Sequence, residues 1–291
     1  MKIVDRENLD VARWDWFVHD YPEASFFSCS WYLDAVAENW CVIVNDDYTA
    51  GMALPYTVRM GTKILYVPIF SRYVTPIGDF TEDDINLIKK QFSVREIATS
   101  SKLFDDYSGR IHQVIEPEEE RTLSSQGKRS IKKSLKNLVR VEMTKDYSNV
   151  LSAIKEELKG KFQGVDETSV ARLEKLLAAA AEHKVLQVVE VSADGEKGGV
   201  CCLMNKHSVL YVKGACPESL KNKGGMYLAL DMAIGLAMAT NLPFDFGGSN
   251  VEGVRRFNMN LGGKDKSYYF HECNEGPLLF KIARKLKRRR K

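Results

Sequence analysis

Residues 244–249, with the sequence Phe-Asp-Phe-Gly-Gly-Ser, are the segment whose residue types best suit ligand binding. Paired glycines after a short apolar strand let the backbone turn sharply and leave its N–H groups available at the edge of a sheet. A second glycine pair and two adjacent tyrosines follow in the same part of the chain. We therefore predict that Gly247, Gly248 and Ser249 contact a substrate.

Asp245 and the two tyrosines are the predicted acid–base groups. Asp245 lies between two phenylalanines of a strand and therefore faces away from them, where it could accept a proton from an amine or hold an ammonium group. Its alternative role is that of a turn residue whose carboxylate accepts from the amides of Gly247 and Gly248. Tyr268 and Tyr269 alternate, so only one points into a cleft, where a phenol can protonate a leaving group. The alternative is that both belong to the core.

A basic, glycine-rich loop precedes a long predicted helix. It reads Lys221-Asn222-Lys223-Gly224-Gly225. Free N–H groups at a helix N-terminus bind anions, and the lysines would add positive charge. We predict that Lys221, Lys223, Gly224 and Gly225 hold a phosphate of a co-substrate, with an ordinary helix-initiating turn as the alternative.

Arg255, Arg256 and Phe257 form a further candidate binding group, because two guanidinium groups beside a ring could grip a phosphate or carboxylate of an acceptor. The alternative is a solvated helix face. The five histidines and six cysteines show no Ser-His-Asp, Cys-x-x-Cys or metal-ligand spacing. We expect reduced, mostly buried thiols, no metal site and no hydrolase chemistry.

Three closely spaced strand-like runs occur twice in the chain. Each set is rich in Val, Ile and Tyr and is interrupted by short polar turns, which predicts an antiparallel meander. The first set covers 41–44, 50–58 and 63–69, and the second covers 185–191, 199–204 and 208–215. A helix and a further strand follow each meander, at 82–91 with 96–99 and at 225–239 with 244–246. Helices at 28–39 and 169–182 precede the two meanders.

The repeated order of elements predicts an α/β (α+β) fold of two similar units, each a mixed, mainly antiparallel sheet flanked by helices. Two unrelated α+β halves are the alternative. The acidic run at 116–120 is a predicted linker, which gives an N-terminal domain of 1–120 and a C-terminal domain of 121–291. A surface helix is expected at 124–138, with Ile131, Leu135 and Leu138 along one side.

Positive charge is concentrated in two places. Residues 281–291 hold eight Lys or Arg and no acid, and removing those eight charges from the net +3 leaves the rest of the chain at −5. Lys128, Arg129, Lys132, Lys133, Lys136 and Arg140 form a second cluster. Such clusters favour phosphate-bearing partners. No apolar run approaches the ~20 residues that span a bilayer, so we expect a cytoplasmic protein.

The order of elements, the Lys221 to Gly225 loop and the Phe-Asp-Phe-Gly-Gly-Ser segment together resemble the FemAB-like branch of the GNAT acyltransferase superfamily, whose members look like two GNAT units in tandem. The match covers 124–269 best, whereas Met226 departs from the usual pyrophosphate loop. The resemblance implies that N–H groups of the strand 211–214 stabilise an oxyanion, with Lys213 adding charge. The alternative for Lys213 is an exposed strand lysine.

The resemblance also implies transfer of an acyl or aminoacyl group to an amine, from a thioester or a charged tRNA. Acyl-CoA or aminoacyl-tRNA would be a co-substrate, no cofactor would be tightly bound, and the acceptor would be a cell-envelope precursor or another small metabolite. Trp31, Arg72 and Tyr73 are the expected acceptor wall in a degenerate first domain, with core packing as the alternative for Trp31. The second domain would hold the donor.

A different function is a non-catalytic module that binds RNA or a membrane surface through its basic tail. Residues 277–291 read as a basic amphipathic helix, which can lie on RNA or on the inner face of an anionic membrane. A frayed, solvated terminus is the alternative.

Overall fold

The computed structural model describes residues 1–161, 167–248 and 251–289 and divides the chain into two units. The first unit comprises residues 1–110 and 267–291, and the second comprises residues 111–266. The sequence analysis predicted a domain boundary at residue 120 and a second domain that includes the C-terminal segment. Residues 267–291 belong instead to the first unit, because Tyr269–Asn274 pairs antiparallel with Val94–Thr99.

The first unit contains seven strands or parts of strands and four helices among the described residues. In chain order they are β1 (Lys2–Asp5), α1 (Val11–Asp20), α2 (Ser30–Val36), β2 (Asn39–Val44), β3 (Gly51–Arg59), β4 (Thr62–Tyr66), α3 (Glu82–Gln91), β5 (Val94–Thr99), the start of β6 (Ser108–Ile115), most of β12 (Lys264–Asn274) and α10 (Leu278–Arg289).

The second unit continues from within β6 and ends within β12. In chain order its other elements are α4 (Ser125–Lys136), β7 (Arg140–Thr144), α5 (Ser148–Lys161), α6 (Glu167–Glu182), β8 (Leu186–Ala193), β9 (Glu196–Met204), β10 (Val209–Ala215), α7 (Glu218–Asn222), α8 (Gly225–Ala239), β11 (Phe244–Asp245) and α9 (Glu252–Asn260).

Each unit builds its sheet in the same way. The strand order is β1-β2-β3-β4-β5-β12 in the first unit and β6-β11-β10-β9-β8-β7 in the second. Neighbouring strands are antiparallel except at β4–β5 and β10–β11, which are parallel. Each unit therefore consists of an antiparallel meander followed by a helix and one parallel strand. The structure confirms two similar units with mixed, mainly antiparallel sheets, and it confirms both predicted meanders.

The two apolar cores belong to separate units. Strand β2 and most of β3 are buried, and their side chains pack with Trp14 of α1, Leu33 of α2 and Phe92, which directly follows α3. In the second unit, side chains of β8, β9 and β10 pack against Leu230 and Ile234 of α8. Helix α8 is apolar around most of its circumference because it is covered by the sheet on one side and by other helices on the other.

Helix α2 is shorter than the sequence predicted. The expected helix 28–39 begins at Ser30, because residues Phe26–Ser28 form a separate 3₁₀ turn and Cys29 is extended. It ends at Val36, and β2 already begins at Asn39. The three residues Phe26–Ser28 show no hydrophobic periodicity that could distinguish the turn from the start of the helix.

Helix α4 is a surface helix, as predicted, but its packed side carries small residues. Gly127, Ser130 and Ser134 are buried, whereas Leu135 is 60% and Leu138 is 82% exposed. A Cβ atom on Gly127 would lie 2.1 Å from the carbonyl oxygen of Asn260. The small residues therefore allow α4 to approach α8 and α9 closely, which leaves the leucines outside.

Candidate functional site

Strands β10 and β11 separate soon after they pair. Val209 pairs with Phe244 and Leu210 with Asp245, and no further pair between these strands occurs in the described part of the chain. Gly247 and Gly248 follow with φ of 72° and 76°, a left-handed conformation that other residues adopt at a cost. Gly247 stays close to β10, since a Cβ atom on it would lie 2.5 Å from the carbonyl oxygen of Tyr211. The part of β10 beyond its last pair with β11, residues 211–215, and the facing glycine turn are together named the β10–β11 slot.

A β-bulge lies on the strand that borders this slot. Tyr211 pairs with Cys202 and Lys213 with Cys201, so Val212 is the extra residue of β10 relative to β9. A bulge takes a residue out of the regular ladder and redirects its neighbours. The strand that the sequence analysis assigned to oxyanion binding therefore has irregular pairing on one side and an early end to pairing on the other. The Lys213 side chain is half-buried.

Asp245 ends β11, and the Gly247 amide and His112 are among its polar neighbours. Its Oδ1 accepts from the Gly247 amide at 2.9 Å, which is the turn role considered above, and lies 3.4 Å from Nδ1 of His112. The Asp245 side chain is 15% exposed and that of His112 is 3% exposed. Sequence reasoning missed His112, because it precedes Asp245 by 133 residues and no local spacing links them.

A buried polar network lies next to this pair. Asn258 donates to Oε1 of Gln113 at 3.0 Å, and Gln113 donates to Oδ1 of Asp265 at 2.8 Å. Arg255 also donates to Asp265 through Nε and Nη2. Hydrogen bonding from Arg255 lowers the pKa of the Asp265 carboxyl group, with help from Gln113 and the charge of Arg255. Gln113 and Asn258 are fully buried, so the network fixes the position of α9 against β6.

The predicted acceptor-gripping group is thus partly engaged within the unit. Arg255 pairs with Asp265, Phe257 packs edge-to-face on Tyr227 at 4.7 Å, and Arg256 is exposed on α9. Ser249, the third predicted substrate contact, lies outside the described residues. Gly248 directly follows the Asp245–Gly247 turn, so the structure brings Asp245, Gly247 and Gly248 together.

The predicted phosphate loop is closely packed. Lys221 forms an ion pair with Glu157, and Lys223 forms one with Asp194. Gly224 and Gly225 are buried, and a Cβ atom on Gly224 would lie 2.4 Å from the carbonyl oxygen of Ser130. Gly224 is therefore required by the approach of α4, and Gly225 by that of Leu220 in α7. Both ammonium groups already have carboxylate partners. Phosphate binding at this loop stays a prediction.

A cavity of about 550 Å³ lies where β10 leads into α7. Its lining residues are Asn149, Ser152, Ala153, Glu156, Glu157, Gly195, Lys197, Cys216, Pro217, Glu218 and Lys221. Burial raises the pKa of the Cys216 thiol to about 12, so this cysteine is a neutral thiol rather than a thiolate nucleophile. Lys197 pairs with the buried Glu190 at 2.7 Å.

In the first unit, Arg72 is the centre of an aromatic cluster. It is 5% exposed, and its guanidinium carbon lies 4.6 Å from the ring centroid of Tyr73 and 5.4 Å from that of Phe27. Tyr73 in turn packs on Tyr268 at 5.8 Å. Trp31 joins the cluster through other aromatic rings of α2 and the preceding turn.

The two predicted catalytic tyrosines have separate surroundings, as their alternation requires. Tyr268 is buried and packs on Tyr73, whereas Tyr269 packs edge-to-face on Tyr107 at 5.2 Å. Lys102 lies over both Tyr107 and Tyr269. Only Tyr268 therefore shares a cluster with the predicted acceptor residues.

Other site classes are not represented among residues 1–161, 167–248 and 251–289. No group of three or more His, Cys, Asp or Glu side chains in these ranges has an arrangement that could hold a metal ion. All six cysteines are free, and four of them are buried. Within the same ranges, every helix is too short or too polar to cross a bilayer.

Comparison with known proteins gives a fold but no sequence relative. No family model and no curated protein sequence matches the chain. The structure of FemX superimposes with a TM-score of 0.66 at 10% identity, covering 94% of this chain and 98% of FemX. The protein has a FemAB-like fold.

Two further structures share this FemAB-like fold. The C-terminal domain of a protein assigned as a lysylphosphatidylglycerol synthetase from Agrobacterium fabrum aligns with a TM-score of 0.53 at 12% identity, covering 90% of each chain. L-PGS from Bacillus licheniformis aligns with a TM-score of 0.50 at 11% identity, covering 87% of this chain and 93% of L-PGS. At these identities the comparisons establish the fold alone.

In the first unit, a loop of the same unit fills the position that corresponds to the β10–β11 slot. Strand β4 ends at Tyr66, and the loop that follows returns to the sheet at Val74 and Ile77. Val74 bonds to Ala98 and Ser100 beside β5, and Ile77 exchanges two hydrogen bonds with Gly51 of β3. Residues 74–77 therefore occupy the gap between β3 and β5 beyond the end of β4.

Proposed function

We propose that the protein is an N-acyltransferase that uses the β10–β11 slot of its second unit to move an acyl or aminoacyl group onto an amine. The observation that carries the proposal is the early end of β10–β11 pairing beside a bulged strand, with the Asp245–His112 pair at the end of β11. The FemAB-like fold shared with FemX and with proteins named for lysylphosphatidylglycerol synthesis supports the same reaction class.

The chemistry requires three contributions from the chain. A neutral amine attacks the carbonyl carbon of a thioester or ester, and main-chain N–H groups of residues 211–215 stabilise the oxyanion that develops. Asp245, held by His112 and the Gly247 amide, accepts the proton that the amine loses. The carbon–sulfur or carbon–oxygen bond then breaks, and the departing thiolate or alkoxide takes up the proton that Asp245 accepted. No resident cofactor is needed for these steps.

Aminoacyl-tRNA and acyl-CoA are the two donor classes that fit. The ion pairs of Lys221 with Glu157 and of Lys223 with Asp194 satisfy the charges that a CoA pyrophosphate would otherwise use. We therefore favour an aminoacyl ester as donor, and a cell-envelope precursor carrying a free amine as acceptor. The Arg72 cluster of the first unit, with Trp31, Tyr73 and Tyr268, is the proposed acceptor wall.

The test is a donor screen with mass detection of the acylated product. Purified protein is incubated with each of several aminoacyl-tRNAs and acyl-CoA thioesters and with amine acceptors that include envelope precursors. We expect one donor class to give an amide product that disappears in the Asp245→Asn variant. Folded protein that gives no product with any donor of either class would contradict the proposal.

The C-terminal helix supports a second proposal, contact of residues 277–291 with an anionic membrane surface. Phe280 of α10 is buried against Ile64 and Val94, and Arg284 pairs with Glu96. Leu278 and Ile282 lie one turn apart and are 73% and 49% exposed. The helix is thus held by one side and presents apolar groups on another. Replacing both exposed residues with Gln should weaken binding to anionic vesicles, and unchanged binding would exclude this role.

A further inference from the structure

The outward side of α4 combines a row of cations with exposed leucine side chains. Lys128, Lys132 and Lys136 follow one another at one-turn intervals, and all three are exposed. Leu135 is 60% exposed beside this row, and Leu138 just beyond the helix is 82% exposed. These five residues are named the α4 face.

The electrostatics of this face are unfavourable for the isolated unit. Cations spaced four residues apart on a helix repel one another. Helix α4 contains five Lys or Arg and no acidic residue. Across the described ranges, no carboxylate forms an ion pair with any of these five cations. The repulsion is therefore not balanced by the part of the chain that the structure describes.

The backbone at Leu138 adds a second unfavourable feature. Leu138 has φ of +55°, and it closes the helix through hydrogen bonds from its own N–H to the Leu135 oxygen and from Val139 to the Ser134 oxygen, each 3.1 Å long. This closing position is normally taken by Gly or Asn, because a Cβ atom is strained there. A leucine at this position neither suits the backbone nor packs in a core.

We propose that the α4 face docks onto an anionic lipid bilayer. A bilayer surface supplies negative headgroups for the lysine row and hydrocarbon for Leu135 and Leu138, and it therefore offsets both unfavourable features at once. RNA would satisfy the charges only, since single-stranded RNA is bound through aromatic stacking and arginine rather than through leucine. Arg140 is also exposed at the start of the adjacent edge strand and extends the cationic surface.

The contribution of each part can be anticipated. A lysine close to an anionic surface strengthens binding about five-fold, so removing the three lysines of the row should weaken it about 100-fold. Insertion of one leucine side chain into the bilayer should strengthen binding about tenfold or more. The proposal concerns where the protein binds and does not depend on the transfer reaction.

The first test uses Leu138→Asn, because Asn tolerates a positive φ. We expect this variant to melt at a higher temperature than the parent while sedimenting less with vesicles of phosphatidylcholine and phosphatidylglycerol. Met60→Asn is the matched control, since Met60 also has a positive φ of 50° and is 70% exposed, but in the turn between β3 and β4. The control should leave vesicle binding unchanged. Equal loss in both variants, or no loss in Leu138→Asn, would overturn the proposal.

The second test separates lipid from RNA. The triple variant carries Lys128→Gln, Lys132→Gln and Lys136→Gln. It is compared with a double variant, Lys175→Gln with Lys184→Gln, which removes exposed charges elsewhere in the unit. The affinity for anionic vesicles, measured by sedimentation, should fall about 100-fold for the triple variant only. Vesicles of phosphatidylcholine alone should bind neither variant. Binding of an RNA hairpin without binding of anionic vesicles, or vesicle binding that survives the triple substitution, would contradict the proposal.

Discussion

The two parallel strand pairs of this protein begin alike and end differently. In the first unit, β4 and β5 pair at three positions, and Val74 then continues alongside β5 after β4 has ended. In the second unit, β10 and β11 pair at two positions, and the chain beyond β10 enters α7 instead of returning to the sheet. The same supersecondary order therefore produces a filled gap in one unit and a slot in the other.

The difference shows where sequence divergence matters in a duplicated fold. Residues 74–77 satisfy backbone groups of both β3 and β5, so the first unit has no need of a ligand there. In the second unit, the pairing of β10 with β11 ends after two positions, next to the bulge in β10 and the glycine turn after β11. This difference supports placing the proposed transfer chemistry in the second unit.

Asp245→Asn should have the largest effect on transfer. Asparagine keeps an oxygen that can accept from the Gly247 amide at the 2.9 Å position, but it cannot take a proton. Loss of a general base typically lowers turnover by 10²- to 10⁴-fold. We expect such a loss in kcat at nearly unchanged KM and unchanged melting temperature. Full activity in this variant would assign Asp245 to the turn alone.

Gly247→Ala should have the next largest effect. The added Cβ would lie 2.5 Å from the carbonyl oxygen of Tyr211, so the turn must shift away from β10 and change the shape of the slot. A displacement of this size near reacting groups costs about 10²-fold in rate. Gly61→Ala is the matched control, because Gly61 has nearly the same φ, +73°, with open space around it. It should lose stability of about 1 kcal/mol from backbone strain and keep full activity.

Val74→Ala tests whether the filled gap is purely structural. Val74 is 3% exposed, and truncating it should destabilise the protein by about 2 kcal/mol in urea denaturation. The kcat/KM for transfer should stay the same. Val58→Ala, on the exposed end of β3, should change the free energy of unfolding by less than about 0.5 kcal/mol. A drop in turnover at Val74→Ala without loss of stability would mean that the first gap takes part in the reaction.

The smallest predicted effect is a pH dependence of stability in the first unit. Burial lowers the pKa of His271. Its ring stacks on Phe104, its Nδ1 donates to the Asp106 carbonyl oxygen, and its Nε2 lies 3.5 Å from Nε of Arg95. The unfolded chain thus binds a proton at a higher pH than the folded one, so stability is lost as the pH falls below about 6.5. The slope of melting temperature against pH should flatten in His271→Phe. An unaltered slope would assign the pH dependence to other groups.

Local patterns in the sequence determined much of the fold. Runs rich in Val, Ile and Tyr, bounded by polar turns, predicted the meanders. Helices α3 and α8 have the predicted bounds, since Thr81 caps the first and Gly224 precedes the second. The packed side of α4 could not be read in this way. Its leucines follow helical spacing, but its packed side is set by contacts that are distant in sequence. Gly127 lies against Asn260, and Ser130 lies against Gly224.

The candidate site was predictable only in part. Asp245, Gly247 and Gly248 were found because a glycine pair after a strand is a local signal. His112 and the network of Gln113, Asn258 and Asp265 are contributed by segments far apart in sequence and by residue types with ordinary structural roles. The partners of Lys221 and Lys223 escaped notice for the same reason, since Glu157 and Asp194 lie on other elements.

Hydrogen–deuterium exchange of β10, measured with and without a stable amide analogue of the donor, tests the central claim most directly. A peptide covering residues 209–216 should exchange faster than one covering residues 94–100 of the first unit, where Val74 continues the pairing of β5 beyond β4, and it should become protected when the analogue binds. Equal protection of the two peptides in the free protein, with no change when the analogue binds, would contradict the assignment of the β10–β11 slot as the acyl site.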